Sequence, residues 1–84
     1  MMKMTRLKDM RLQQGLSQNE LADATGINIG TLRHYEQGSK VIDNAKLETI
    51  LKCSIALKCH FAKIVENKET IELIHLSIKA SQFR

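Results

Sequence analysis

Apolar positions between Leu7 and Val65 recur at spacings of three and four, broken by glycines and short polar residues, and this rhythm predicts a succession of short helices. The clearest instance lies within residues 15–38. Ser17 stands three positions before Glu20, the spacing at which a hydroxyl accepts from a first-turn amide while the carboxylate accepts from the cap amide. A helix is therefore expected from Gln18. Leu21, Ala22 and Thr25 repeat at helical spacing, Leu21 facing a core and Ala22 small enough for a second helix to cross closely. Gly26 ends that helix, Ile27 plugs the turn, and Asn28 caps a second helix over about residues 29–37, which Gly38 stops. On the second helix Leu32 and Tyr35 face inward. Ile29, Gly30, Thr31, Arg33, His34 and Gln37 are left outward, with little bulk at the N-terminal end, so the face can approach the floor of a DNA groove. An ordinary helical hairpin, with Ser17, Gly26 and Gly38 as simple punctuation, would use the same residues. The coincidence of cap, small residue, turn glycine, plug and second cap favours a helix-turn-helix.

The stretch from Leu7 to Val65 resembles the lambda-repressor/Cro-type helix-turn-helix family, also called the XRE family. Leu7-Lys8-Asp9-Met10-Arg11 followed by Gly15-Leu16-Ser17-Gln18 resembles its first helix and the start of its second, and Tyr35-Glu36-Gln37-Gly38 resembles the exit of its recognition helix. Residues 44–57, then Cys59-His60-Phe61 and Ile64-Val65, resemble its fourth and fifth helices. The resemblance implies an all-α, compact five-helix DNA-binding domain, in a family whose members are mostly repressors or activators that bind palindromic operators as dimers. It implies that Gln18 anchors the first motif helix to a phosphate, which the helix N-terminus would also favour. Asn28, Ile29, Gly30, Thr31, Arg33 and His34 match positions that face base edges or flanking phosphates. Better-studied members often carry glutamines where Ile29 and Gly30 stand. Ile29 would then touch a thymine methyl and Gly30 only permit close approach. Arg33 becomes the candidate for a bidentate contact to guanine, with a phosphate contact as its alternative. Lys40, just past the recognition helix, is a phosphate candidate. Arg11 and Glu36 match a structural ion pair that ties the first helix to the end of the recognition helix.

Composition narrows the class. At 84 residues and 43% hydrophobic, the chain supports one core. A net charge of +4 suits a nucleic-acid partner without requiring one. No apolar run approaches the roughly 20 residues of a membrane span, and no secretory segment is evident, so a cytoplasmic protein is expected. Proline is absent and the glycines fall at positions 15, 26, 30 and 38, which fits helices throughout. Cys53 and Cys59 lack metal-ligand spacing and are read as structural thiols, Cys53 on a fourth helix whose inward face is marked by Leu47, Ile50, Leu51, Ser54 and Leu57. No phosphate loop, metal-spaced His-Glu pair or acid/base cluster supports an enzyme, and no cofactor or metal is implied.

After the polar link at residues 66–69, Thr70 to Lys79 form a second apolar element. Ile71, Ile74 and Ile78 suit a helix, whereas Ile74, Leu76 and Ile78 also suit a strand. Residues 80–84 are expected to fray. The chain thus divides into a DNA-binding domain over residues 1–66 and a C-terminal extension over 67–84, the latter a dimer contact or a strut folded onto its own domain. The expected function is a sequence-specific transcriptional regulator, a repressor acting as a homodimer on a palindrome in double-stranded DNA. A protein-interaction or antitoxin-type module using the same fold is the rival. Steep salt dependence of duplex binding would separate the two.

Overall fold

Four of the five α-helices begin at a residue whose side chain accepts from a first-turn amide, and glycines stop two of them. In the computed structural model, which describes residues 4–81, helix α1 spans Arg6–Gln13, α2 Gln18–Thr25, α3 Ile29–Gln37, α4 Leu47–Ala56 and α5 Lys68–Ser81. The Thr5 hydroxyl accepts from Lys8 N at the start of α1. At α2 the capping box closes in both directions: Glu20 N donates to Ser17 Oγ at 3.0 Å and Ser17 N to Glu20 Oε1 at 2.9 Å. The bond from Ser17 N, with the Ser17 hydroxyl adding to it, stabilises the ionised carboxylate and holds the Glu20 carboxyl below its ordinary pKa. Gly26 and Gly38 close α2 and α3 at φ +73° and +82°, where a side chain would be strained.

The core gathers the inward faces. Leu7, Leu21, Leu32, Cys53, Leu57 and Ile64 are fully enclosed, and α2 packs against both α3 and α4. Burial on α4 falls on Ile50, Cys53 and Ser54, and Leu57 follows them inward. Leu47 and Leu51 do not face the core. They are 62% and 38% exposed, and with Ile55 they form an outward line at i, i+4, i+8. The segment that resembles a fifth family helix is one 3-10 turn, Phe61–Lys63. Lys58, at φ +53°, turns the chain out of α4, and His60 Nδ1 then accepts from Ala62 N to start the new turn. Ile64 and Val65 drop into the core directly after it.

The fifth α-helix is the C-terminal element, so the helix alternative holds for the extension. Its base is pinned by Asp43, whose carboxylate accepts from Glu66 N and Asn67 N at 2.8 Å each. Asn67 Oδ1 then accepts from Glu69 N and Thr70 N. Ile71 and Ile74 pack against the core, but Leu73, Leu76 and Ile78 remain exposed and no residue of α5 is fully buried. Ala80 and Ser81 complete the helix instead of fraying. Residues 82–84 of that expectation, and residues 1–3 and 82–84 of the domain division, lie outside the described residues.

Candidate nucleic-acid interface

The exposed face of α3 exists because its inward face is fixed at two points. Leu32 is fully enclosed in the core, and Glu36, one turn later, is buried at 4% exposure. A buried carboxylate needs partners. Arg11 Nε donates to Glu36 Oε2 at 2.7 Å and Arg11 Nη2 to Glu36 Oε1 at 3.0 Å, a two-pronged contact between α1 and α3. The third nitrogen, Arg11 Nη1, donates to the Leu16 carbonyl at 2.7 Å and so fixes the loop that leads into α2. Thr5 Oγ1 adds a bond to the Glu36 carbonyl oxygen at 2.9 Å. The angle at which α3 leaves the body is therefore set by one charged cluster.

At the other end of α3, Asn28 Oδ1 accepts from Gly30 N at 2.8 Å. A Cβ on Gly30 would stand 3.1 Å from that same oxygen. Gly30 thus accommodates the cap as well as thinning the surface. Ile29 is half-buried against the core, and Gly30 and Thr31 are also only partly accessible. Asn28, Arg33, His34, Gln37 and Lys40 are exposed. The outward surface is consequently polar, with Arg33 and Lys40 cationic and Ile29 offering only part of its side chain.

Gln18 lies beside this face, at the start of α2. Its amide nitrogen donates to Glu36 Oε1 at 3.2 Å and its carbonyl accepts from Arg33 Nε at 3.4 Å. His34 is braced locally: Ser39 Oγ sits 2.8 Å from His34 Nδ1 and also donates to the His34 carbonyl, while Lys40 N donates to that carbonyl at 3.2 Å. Of the eight residues expected at the interface, Gln18 meets Arg33 and Asn28 meets Gly30 directly, and His34 and Lys40 are joined through the chain that follows α3. Sequence reading passed over Thr5 and Ser39. A threonine ahead of an apolar periodic run is a cap signal, but its reach to Glu36, 31 residues away, leaves no local trace.

Among the described residues, no group of three His, Cys, Asp or Glu comes together that could hold a metal ion, and no helix is long and apolar enough to cross a membrane. Burial pushes the Cys53 thiol up to about 11 and raises Cys59 as well, so both stay protonated near neutrality. A shallow groove of about 340 Å³ runs between Arg6, the Phe61–Lys63 turn and α5, away from α2 and α3.

The helix-turn-helix family matches residues 7–64. Over 66 residues the chain is 30% identical to a transcriptional repressor, RstR, of the cryptic phage CTXphi in Vibrio cholerae. That alignment covers 79% of this chain and 57% of the repressor's length. No solved structure matches the chain.

Proposed function

The chain belongs to the lambda-repressor/Cro-type helix-turn-helix family, and on that footing we propose that it is a sequence-specific DNA-binding transcriptional regulator that acts as a repressor in the cytoplasm. The observation that carries the reading is the pairing of a buried anchor with an open face on one short helix: Leu32 and Glu36 inward, Arg33 and His34 outward. Laid in a major groove, α3 would offer Asn28, Ile29, Gly30, Thr31, Arg33 and His34 to base edges and nearby phosphates. Gln18 and Lys40 would flank it on the phosphate backbone. One of the two amide protons of Gln18 is used by Glu36, and the other is available to a phosphate.

Selection of bound sequences from random duplex DNA tests the reading and shows whether the site is a palindrome. Arg33 is the strongest base-reading donor on the face. Arg33→Ala is expected to relax preference at one position of each half-site, at a cost of about 1–3 kcal/mol of discrimination. If all sequences weaken equally and the salt slope falls by about one, Arg33 is a phosphate contact instead.

One recognition helix reads few base pairs, so a symmetric dimer with half-sites about 34 Å apart is the natural working unit. The exposed Leu73, Leu76 and Ile78 on α5 support that extension as the dimer contact. Leu73→Glu combined with Leu76→Glu is expected to shift a dimer to monomer in sedimentation, because two like charges from each chain would be buried across the axis. A chain that is monomeric even on the selected palindrome ends the dimer proposal, and an unchanged dimer moves the interface elsewhere. The rival reading, a protein-binding module, draws on the exposed line of Leu47, Leu51 and Ile55 on α4. Duplex affinity that is weak and flat with salt would favour it.

A further inference from the structure

Glu36 has only acceptor atoms, and this fixes more than the ion pair. A carboxylate can be met only by the NH2 end of a neighbouring amide, so the bond from Gln18 Nε2 to Glu36 Oε1 at 3.2 Å determines which way the Gln18 amide lies. Its carbonyl is thereby turned outward, toward Arg33 Nε at 3.4 Å. Arg11 holds the far side of the same carboxylate with two bonds. Arg11, Glu36, Gln18 and Arg33 form one chain of alternating donors and acceptors, running from the buried junction of α1 and α3 to the exposed face of α3.

We propose that Gln18 is a positioning residue for Arg33: the buried carboxylate orients its amide, and the amide tethers the Arg33 guanidinium through Nε. A guanidinium held at Nε keeps both Nη groups free, and these form the fork that a guanine edge accepts. An untethered arginine would have to give up more side-chain freedom on binding, so the tether lowers the ordering cost. At 3.4 Å the bond is long and biases the side chain without locking it. The proposal rests on the base-reading role of Arg33 given above, but the tether itself exists without DNA.

The test has two parts that separate these claims. In the free, full chain, Gln18→Ala is expected to shift the Arg33 Nε–H resonance and speed its exchange with solvent, while the buried Arg11 Nε–H stays in place. On the duplex obtained by selection, Gln18→Ala is expected to weaken binding about fivefold, the worth of one ordinary hydrogen bond, and to relax preference at the position that Arg33→Ala relaxes. In an Arg33→Ala background the same change should cost little at that position. Thermal unfolding of Gln18→Ala checks that the domain remains folded, as expected while Arg11 still satisfies Glu36. An Arg33 Nε–H signal that ignores Gln18→Ala overturns the tether whatever the DNA data show. Additive losses in the double-mutant cycle overturn the positioning role and leave Gln18 as an independent phosphate contact. If the resonance moves but Arg33→Ala leaves base preference intact, the positioning of a base reader is overturned because Arg33 reads no base.

Discussion

Arg11→Met is expected to lower folding stability by about 3–5 kcal/mol, the cost of leaving a buried carboxylate without its charged partner. Against a total of roughly 4–13 kcal/mol for a domain of this length, that is enough to unfold a large fraction of molecules. The loss has three local sources. Glu36 is 4% exposed and loses both guanidinium bonds, the Leu16 carbonyl loses its donor, and only Gln18 Nε2 remains on the carboxylate. Glu36→Gln should cost less, because a neutral amide still accepts from Arg11. The double variant should be more stable than the sum of the singles predicts by at least about 1 kcal/mol, since neither change then strands a charge. Urea unfolding at constant slope measures each term. Additivity within about 0.5 kcal/mol would mean that the two groups are energetically independent despite their 2.7 Å contact.

That ion pair marks how far local sequence rules reach. The capping box at Ser17 and Glu20, the left-handed glycines at 26 and 38 and the Asn28 cap all involve residues within three or four positions of one another, and each was legible. The pairing of Arg11 with Glu36 came from family resemblance, because nothing local links residues 25 apart. The tether of Arg33 to Gln18 was not legible. It depends on which end of an amide a distant carboxylate selects. The contact roles of Asn28, His34 and Lys40 stand apart from these, since the fold supplies their exposure and DNA would supply their partners.

Helix α4 shows a different limit. Leu47, Ile50, Leu51, Cys53, Ile55, Ala56 and Leu57 surround the helix so fully that a period of 3.6 fits more than one inward face. Packing against α2 and the Phe61–Lys63 turn selects the face through Ile50, Cys53 and Leu57. Leu47 and Leu51 are thereby left outside. A leucine in the sequence carries no mark of which side its neighbours will take.

This difference gives the second large effect. Leu32→Ala is expected to cost about 2–5 kcal/mol, because Leu32 is fully enclosed in the core and its removal leaves a cavity beneath the recognition helix. Leu47→Ala, at a site 62% exposed, should stay within about 0.5 kcal/mol. In a chain of this length the first change should lower the melting temperature by roughly 10–30 °C and the second by no more than a few degrees. Duplex binding by Leu32→Ala should fall with the folded fraction and recover on cooling, since none of the exposed donors on α3 has been altered. Equal costs at the two positions would place Leu47 under cover. Repeating the melts across protein concentration then says what covers it: a Leu47→Ala penalty that grows with concentration means a second copy lies on α4, and one that does not means α4 is rotated inward within a single chain.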